Sequence, residues 1–206
     1  MLLDFDRLIN KYDMNVTGII HIGAHYGEEY KIYIKYDSIK EMNFFEPDPD
    51  SFKVLYENIK DDSRVRIYNI ALGPEECFKT FYKSSNQGES SSLLKPLIHL
   101  RQYPHIKFEE SDEIRVEKLD NFYFSDFSNL INIDVQGFEL EVFKGGTETL
   151  RKIDYIIAEV NRDQVYENCC MVTELDSFLS KYGFERAETT WDGGTWGDAF
   201  YIKGGL

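Results

Sequence analysis

The stretch from Thr17 to Glu46 constrains the fold of this chain more than any other part of the sequence. It begins with an apolar run at residues 19–22, which predicts a buried parallel strand. The run ends in a glycine-bounded turn at residues 23–27, where the absence of a Cβ lets the backbone approach a ligand closely. A helical segment follows, and a second apolar run at residues 42–45 leads into Glu46. This order of strand, glycine turn, helix, strand and acid is typical of a nucleoside-binding site.

The spacing within the turn indicates which cofactor fits. Dinucleotide-binding folds use G-x-G-x-x-G, whereas Gly23 and Gly27 give G-x-x-x-G and His25 stands where the middle glycine would be. A side chain there obstructs a pyrophosphate but leaves room for the smaller carboxylate of a methionine group. Glu46 follows Gly23 at close to the ~20 residues expected before an acid that binds ribose hydroxyls. The sequence therefore predicts S-adenosylmethionine, with S-adenosylhomocysteine as product; the alternative is that the two glycines mark only a tight turn.

The overall charge argues against a nucleic-acid partner. Of 206 residues, 23 are Lys or Arg and 37 are Asp or Glu, and the formal net charge of -14 repels phosphate backbones.

The three cysteines, Cys77, Cys169 and Cys170, form no C-x-x-C pair and indicate a reduced, intracellular protein. Because the sequence shows no signal-peptide core and no apolar run of ~20 residues, we expect a cytoplasmic protein without a membrane partner.

Alternating helical and strand patterns predict a single α/β domain over residues 1–206. The expected architecture has three α/β/α layers around a doubly wound, mostly parallel sheet, with a C-terminal antiparallel hairpin at residues 184–203. Helices are predicted within residues 1–15, at 28–38 with Tyr30, Tyr33 and Ile34 inward, after Pro47 with Phe52, Leu55, Tyr56 and Ile59 on one face, at 138–143, and at 173–182 behind an N-cap at Thr173. Further strands are predicted at 64–72, 77–83, 114–119, 130–135 and 153–160. The serine-rich segment 84–92, within the interval 84–95, is either a flexible loop or a lid.

Several chemically useful residues come at the ends of the predicted strands. In open α/β sheets, ligands bind beyond the carboxyl ends of the strands, where the strand order reverses. The chain brings the Gly23 turn, Glu46, residues 69–71, Asp134 and Glu159 to that edge. Each acid alone is an ordinary loop or cap residue, but their coincidence at one edge indicates a site.

Five segments carry a resemblance to a known family. They read I-H-I-G-A-H-Y-G-E-E, F-F-E-P-D-P, N-I-A-L-G, V-E-K-L-D-N-F and, as the most specific, I-N-I-D-V-Q-G-F-E-L-E-V-F-K-G-G. In these segments the chain resembles the FkbM family of S-adenosylmethionine-dependent methyltransferases, with the class I Rossmann-like fold, over about residues 19–182. The resemblance implies O-methylation of a sugar or another small hydroxylated metabolite. Members of the family also occur as modules of longer glycan-building proteins, so this chain could be one such module.

The resemblance also implies roles for individual residues. Gly23 and Ala24 would lie against the methionine part of the cofactor, Glu46 would hold the ribose hydroxyls, and residues 69–71 would border the adenine. Asp134 would lie beside the amino group and the transferred methyl. The predicted cofactor contacts are Gly23, Ala24, His25, Gly27, Glu28, Glu46, Pro47, Asn69, Ile70, Ala71, Asp134 and Gln136.

Three residues depart from the usual pattern of the family. His21 stands where the family has an acid, and Asn132 and Gln136 stand where it has Lys and Glu around the aspartate. The lysine would be a candidate for lowering the pKa of the acceptor, and the glutamate would be a charged ligand for the cofactor. Their loss leaves the cofactor assignment in place but leaves the catalytic base open.

Methyl transfer to a hydroxyl needs alignment of the reactants and a group that accepts the proton. Asp134 is the first candidate for this general base, and Glu159 and His25 are the alternatives; Asp134 could instead bind only the cofactor amine. Asp134, Glu159 and Asn161 offer oxygen ligands of the kind that Mg²⁺ accepts, but only two are charged, so a divalent metal is not favoured. We reject zinc at His21 and His25, because that spacing places two ligands on one side only in a helix.

Aromatic residues outside the core favour a sugar or glycan acceptor. Trp191 and Trp196 flank a glycine-rich loop, and such rings can stack on pyranose faces; the alternative is that both only pack the terminal hairpin. Ser92, Tyr103 and His105 are further candidate acceptor contacts.

Two other functions stay open at this stage. A nicotinamide-dependent oxidoreductase is weakened by His25 and by the lack of a Tyr-x-x-x-Lys-like pair. A non-catalytic module that binds cofactor or glycan is kept open by Asn132 and Gln136. A nucleic-acid methyltransferase is less favoured, because the chain lacks a basic face and an N/D-P-P-Y/W tetrapeptide.

Overall fold

The computed structural model describes residues 2–110 and 113–204. Its strands are β1 (Gly18–Ile22), β2 (Glu41–Phe45), β3 (Val65–Tyr68), β4 (Ala71–Leu72), β5 (Cys77–Lys79), β6 (Tyr82–Ser84), β7 (Phe108–Glu110), β8 (Ile114–Glu117), β9 (Leu130–Ile133), β10 (Tyr155–Asn161), β11 (Phe184–Trp191) and β12 (Trp196–Lys203). Its helices are α1 (Phe5–Tyr12), α2 (Tyr30–Tyr33), α3 (Pro49–Ile59), α4 (His99–Gln102), α5 (Glu139–Lys144), α6 (Thr147–Lys152) and α7 (Val172–Leu179), with 3-10 turns at Leu119–Asn121 and Ser180–Tyr182.

The main sheet confirms the predicted doubly wound architecture. Within the described residues it has seven strands in the order β11-β12-β10-β9-β1-β2-β3. The five strands from β10 to β3 in this order pair in parallel, while β12 runs antiparallel to both β10 and β11 and forms the expected hairpin. Because the chain winds from β1 through β2 to β3 on one side and later places β9 and β10 on the other, the strand order reverses between β1 and β9. Ligand sites of such sheets lie at this point.

Successive side chains of β1 pack into cores on opposite faces of the sheet, as the alternation of a strand requires. Ile20 and Ile22 belong to a core that includes residues of α5, α6 and α7. Ile19 belongs to a second core that includes residues of α1, α2 and α3. The helices therefore form layers on both faces, and the sheet between them is buried. Burial on both sides explains why β1 is almost uniformly apolar in sequence.

Local details of the helix predictions were wrong at several positions. The helix expected at 28–38 is the single turn α2, and Ile34 is 41% exposed rather than inward. On α3, Tyr56 is 46% exposed, while Leu55 and Ile59 are buried as predicted. The helix α7 begins after Met171, whose backbone N–H donates to the Glu174 carboxylate (2.8 Å), so Thr173 is not its N-cap.

Two of the predicted strands are each divided into two shorter strands in the structure. The strand expected at 64–72 divides into β3 in the main sheet and β4 in a small sheet with β8 and β5. Between them, the Asn69 side chain donates to the carbonyls of Glu46 (2.8 Å) and Pro47 (3.1 Å), directly after the end of β2. The strand expected at 77–83 likewise divides into β5 and β6, which belong to two different small sheets.

Two further observations concern the described residues only. Cys77, Cys169 and Cys170 carry free thiols, as expected from their spacing. None of the helices in residues 2–110 and 113–204 has the length and apolar character needed to cross a membrane. The proposal of a single domain over residues 1–206 stays a prediction, and its terminal residues 1, 205 and 206 lie outside the described part.

Lys203 ties the end of the hairpin to the end of a helix. Its Nζ donates to the carbonyls of Leu150 (3.0 Å), Arg151 (2.7 Å) and Ile153 (2.9 Å), which the C-terminus of α6 leaves without helical partners. A cation there also opposes the partial negative charge of the helix end.

We therefore predict that Lys203→Met lowers the free energy of unfolding by about 1.5–3 kcal/mol, the range for hydrogen bonds to a charged group. Urea denaturation followed by circular dichroism measures this. The matched control is Lys152→Met, because Lys152 is exposed at the same helix end. Equal stability of the two variants would remove the capping role of Lys203.

Candidate active site

A cavity of about 630 Å³ opens at the carboxyl ends of β1, β2, β9 and β10. Its volume is in the usual range for a small-molecule site. Most of the residues singled out from the sequence line it: Gly23, His25, Glu28, Glu46, Pro47, Ile70, Ala71, Ser92, Tyr103, Asp134, Gln136, Glu159 and Trp196. Ala24, Gly27, Asn69, Asn161, Trp191 and His105 are outside its lining.

The glycine turn is shaped first by its packing on neighbouring strands. Gly23 has φ +77, and a Cβ there would lie 1.8 Å from the carbonyl oxygen of Asp134. The backbone N–H groups of Gly23 and Ala24 both donate to the Phe45 carbonyl (2.9 and 3.0 Å). Gly27, with φ +78, would bring a Cβ within 2.7 Å of the Leu55 side chain. The turn is therefore locked between β2, β9 and α3. The helix behind it, α2, has four residues and is too short to present an anion site at its N-terminus.

Glu46 holds this turn through its carboxylate. Its Oε2 accepts from the His25 N–H (2.8 Å) and its Oε1 from the Asp48 N–H (2.8 Å). Burial raises the pKa of Glu46 to about 7, although these donors act in the opposite direction. Each carboxylate oxygen has a second lone pair, so it can still accept a hydrogen bond from a ligand hydroxyl. Asn69, outside the lining, braces the same corner through the Glu46 and Pro47 carbonyls.

His25 connects the turn to the serine-rich segment. Its Nδ1 lies 2.9 Å from Glu28 Oε1 and its Nε2 lies 3.0 Å from the carbonyl oxygen of Gln87. Because both partners are acceptors, both ring nitrogens must carry protons. Burial lowers the pKa of His25, but the hydrogen bonds with Glu28 and Gln87 outweigh it and raise the value to about 9. The imidazolium thus fixes the segment beside the cavity.

Gln136 joins two carboxyl groups at the end of the sheet. Its Nε2 donates to Asp134 Oδ1 (2.7 Å) and to Glu159 Oε2 (2.6 Å). Its Oε1 lies 2.7 Å from the hydroxyl of Tyr166, which is buried and lies 2.8 Å from the Ser90 carbonyl. The backbone of Gln136 has φ 55, a conformation uncommon for a non-glycine residue. The amide thus donates both of its N–H groups to the two carboxyl groups, while the single hydroxyl proton of Tyr166 serves either Gln136 Oε1 or the Ser90 carbonyl.

Glu139 is a buried carboxyl group that we did not anticipate. Its Oε1 accepts from the N–H groups of Val135 and Gly137 (3.1 Å each), while its Oε2 has no hydrogen-bond partner among the described residues. Burial raises the pKa of Glu139 to about 7. Burial, followed by the charges of Asp134 and Glu139, raises the pKa of Glu159 well above its ordinary value. The signal available in the sequence was an acid at the start of a helix directly after the Asp134 turn.

Carboxylate oxygens of Asp134, Glu139 and Glu159 lie within 4.8 Å of one another, which is a grouping that could hold a cation. However, the Gln136 amide bonds to both Asp134 and Glu159, and Glu139 does not line the cavity. These contacts fit a hydrogen-bonded network better than a metal site. Asn161, the third ligand considered from sequence, is fully buried away from the cavity.

Two of the three residues that depart from the family pattern, His21 and Asn132, lie side by side in the structure. His21 and Asn132 are register partners across β1 and β9, and both line the cavity. The Asn132 side chain donates to the Tyr33 hydroxyl (2.7 Å). Burial lowers the pKa of His21, which favours the neutral imidazole. A neutral polar group therefore forms the floor of the cavity.

The two tryptophans have different surroundings. Trp196 lines the cavity, and its Nε1 donates to the Tyr103 hydroxyl (3.1 Å). Trp191 instead lies against the guanidinium of Arg162, 4.6 Å from its ring centroid, and packs on the core. Ser92 is buried, and its hydroxyl donates to the Gln136 carbonyl (2.9 Å), so its side chain supports the turn at Asp134.

Comparisons with known proteins agree with this geometry. The sequence matches the protein-family model of the methyltransferase FkbM domain over residues 21–186. The 2-O-methyltransferase NoeI of Sinorhizobium fredii is 28% identical over 158 residues, covering 72% of this chain and 65% of NoeI, so the chain spans less than two thirds of that relative. The fold is similar to that of methyltransferase FkbM from Methylobacillus flagellatus, with a TM-score of 0.62 at 14% identity over 98% of this chain and 45% of the other. The fold is also similar to that of M. capricolum TrmK in complex with S-adenosylhomocysteine. The TM-score is 0.54 at 10% identity, and the match covers 99% of this chain and 70% of TrmK.

The buried Glu139 carboxyl makes a prediction about pH and stability. Its folded-state pKa of about 7 is above the unfolded value, so the protonated group stabilises the fold at low pH. This contribution is lost as pH rises through the folded pKa. In Glu139→Gln, the amide oxygen can still accept from both N–H groups without carrying a charge.

We therefore predict that the wild type loses stability relative to Glu139→Gln as the pH rises. The difference between their free energies of unfolding should change by about 1–3 kcal/mol between about pH 5 and pH 8. Urea titrations across this range measure it. Glu148→Gln, at an exposed position in α6, is the control and should follow the wild type. Parallel pH profiles for wild type and Glu139→Gln would contradict the prediction.

Proposed function

The chain belongs to the FkbM methyltransferase family, and from that premise we propose that it transfers a methyl group from S-adenosylmethionine to a hydroxyl of a sugar or glycan. The observation that carries the proposal is the meeting of two features in one cavity. One is the turn held by Glu46, and the other is the Asp134–Gln136–Glu159 network. Both lie where the strand order reverses, which is the usual ligand position in such sheets.

The residues of the cavity suit the cofactor. S-adenosylmethionine, when bound, supplies a methyl group attached to a good leaving group. Glu46 has lone pairs available for the two ribose hydroxyls. Ile70 and Ala71 offer apolar contact for the adenine on the same side of the cavity. TrmK, which has the same fold, was solved with the product S-adenosylhomocysteine.

Asp134 is the residue we assign as general base. The acceptor hydroxyl gains an O–CH₃ bond, the methyl–sulfur bond breaks, and the hydroxyl proton passes to the Asp134 carboxylate. His25 is a poor alternative, because both of its nitrogens are already protonated. Glu159 is also a poor alternative, because burial raises its pKa and favours the protonated form. Gln136 supports this division of roles by donating an N–H group to each carboxyl.

The sugar acceptor is supported by two independent features. NoeI, the relative at 28% identity, is named as a 2-O-methyltransferase, which indicates a hydroxyl acceptor in that protein. In this chain, Trp196 and Tyr103 are joined by a hydrogen bond and together line the cavity. A paired aromatic surface of this kind can stack on a pyranose ring. The direct test is transfer of a labelled methyl group from S-adenosylmethionine to glycoside acceptors, with the product linkage identified by mass spectrometry.

Substitution of Asp134 tests the assignment of the base. We predict that Asp134→Asn lowers kcat by about 100- to 10,000-fold, the usual contribution of a general base, and changes the Kd for S-adenosylhomocysteine by less than about threefold. Steady-state kinetics and calorimetry measure the two quantities. Asp126→Asn, at an exposed position outside the cavity, is the control. Equal losses in kcat and affinity would make Asp134 a binding residue instead.

The raised pKa of Glu46 predicts how cofactor affinity depends on pH. Only the ionised carboxylate offers both of its oxygens as hydrogen-bond acceptors to the two ribose hydroxyls, because in the protonated form one oxygen carries a proton. Binding of S-adenosylhomocysteine should therefore tighten as pH rises through about 7. Calorimetric titrations at about pH 6, 7 and 8 measure this. In Glu46→Gln, affinity should be lower at about pH 8 and should no longer change across the range; a retained pH slope would assign it to another group.

A further inference from the structure

The titratable groups that line the cavity are mostly acids. Within the described part of the chain, five glutamates and three aspartates line it, and no lysine or arginine does. The cation among these groups is His25, which is paired with Glu28. Burial raises the pKa of Glu159 and favours its protonated form, so the other acids give the cavity its negative potential, which low-dielectric walls strengthen.

The cofactor site accounts for only some of these acids. Glu46 and Glu28 belong to the glycine turn, and Asp134 and Glu159 to the network with Gln136. Away from these groups, Glu89 and Asp192 are exposed at the rim. Asp198 lies deeper and is buried; it accepts from the backbone N–H groups of Leu2 and Leu3. The acceptor must therefore enter past carboxylates.

Two cations near the cavity, Lys83 and Arg162, are committed to other contacts. Lys83, at the start of the serine-rich segment, has its Nζ 2.9 Å from Asp48 and 2.7 Å from Asp50. Arg162 donates to the Gly194 carbonyl (2.7 Å) and lies over the Trp191 ring. Neither side chain lines the cavity. Sites for phosphate or carboxylate normally supply arginine, lysine or a row of backbone N–H groups. In the glycine turn, the N–H groups of residues 23, 24, 25 and 27 already have protein acceptors.

We propose that the acceptor is a sugar or glycan without an anionic group, either neutral or bearing a protonated amine. Nucleotide-linked sugars, sugar phosphates and uronic acids are excluded by repulsion from the lining acids, and RNA is excluded in the same way. This inference rests on the proposed sugar methyltransferase activity and specifies the class of its substrate.

The test is a matched series of acceptors that differ in one substituent. It uses the methyl glycosides of glucose, 6-amino-6-deoxyglucose, glucuronic acid and glucose 6-phosphate, which differ only at C6, repeated with the galactose and mannose parents. For a parent sugar that is methylated, we expect kcat/KM for the uronic acid and the phosphate to be lower than for the neutral glycoside by at least about tenfold, with the amino sugar at or above it. Anionic acceptors equal to or better than neutral ones would overturn this inference and leave the methyltransferase activity standing. Turnover of no sugar at all, with S-adenosylhomocysteine still bound, would overturn the proposed function and this inference with it.

A charge-removal variant tests the cause of the discrimination. Glu89→Gln combined with Asp192→Asn removes two rim charges, while Asp126→Asn combined with Glu185→Gln removes two exposed charges outside the cavity. In the rim variant, the ratio of kcat/KM for the neutral glycoside to kcat/KM for the uronic acid should decrease by about fivefold. Added salt should decrease the same ratio in the wild type, because it screens exposed charges. The control should keep the wild-type ratio. The same ratio in both variants would overturn the electrostatic account.

Discussion

The structure depends on keeping several buried carboxyl groups hydrogen-bonded at one edge of the sheet. Parallel strands deliver Glu46, Asp134 and Glu159 to the same edge, and the next helix adds Glu139; Asp134 is half-buried and the three glutamates are buried. Buried acids are costly unless donors face them. Backbone N–H groups serve Glu46 and Glu139, and the Gln136 amide serves the other two. The positive φ at Gln136 belongs to the turn that places this amide, and such conformations persist where the surroundings determine them.

The same constraint explains the neutral residues that replace charged ones in this chain. A lysine at position 132 would face His21 across β1 and β9, and the buried imidazole, whose pKa burial lowers, offers it no opposite charge. Asparagine and histidine can instead form a neutral pair beside Tyr33. A glutamate at position 136 would place an oxygen, rather than an N–H donor, 2.6 Å from Glu159 and 2.7 Å from Asp134. The glutamine thus allows the two carboxyl groups to lie together.

Much of the fold could be predicted because long-range order follows from short patterns. Apolar runs identified β1, β2, β9 and β10, and the rule for open sheets placed Glu46, Asp134 and Glu159 at one edge. Contacts between residues far apart in sequence could not be predicted. The hydrogen bond of Tyr166 to Gln136 joins residues that no local pattern connects. The hydrogen bond from Asn69, between β3 and β4, to the Glu46 carbonyl likewise joins residues that are distant in sequence.

The difference between Trp191 and Trp196 has a similar origin. Both flank one loop, but they belong to different strands of the hairpin, β11 and β12. Their faces depend on the pairing register, which shifts between Arg186 and Glu188. A register shift of one residue moves a side chain to the opposite face of a strand. Composition alone therefore indicated two candidate aromatic contacts, and the structure places one of them in the cavity.

The central claim, that the cavity binds S-adenosylmethionine, is tested most directly by calorimetric titration of the protein with S-adenosylhomocysteine, S-adenosylmethionine and NAD. Each titration is repeated with EDTA, because carboxylate oxygens of Asp134, Glu139 and Glu159 lie within 4.8 Å of one another and could hold a cation. The account predicts saturable binding of both adenosyl compounds, no binding of NAD, and no effect of EDTA. Binding of NAD alone, or binding of neither adenosyl compound, would contradict it.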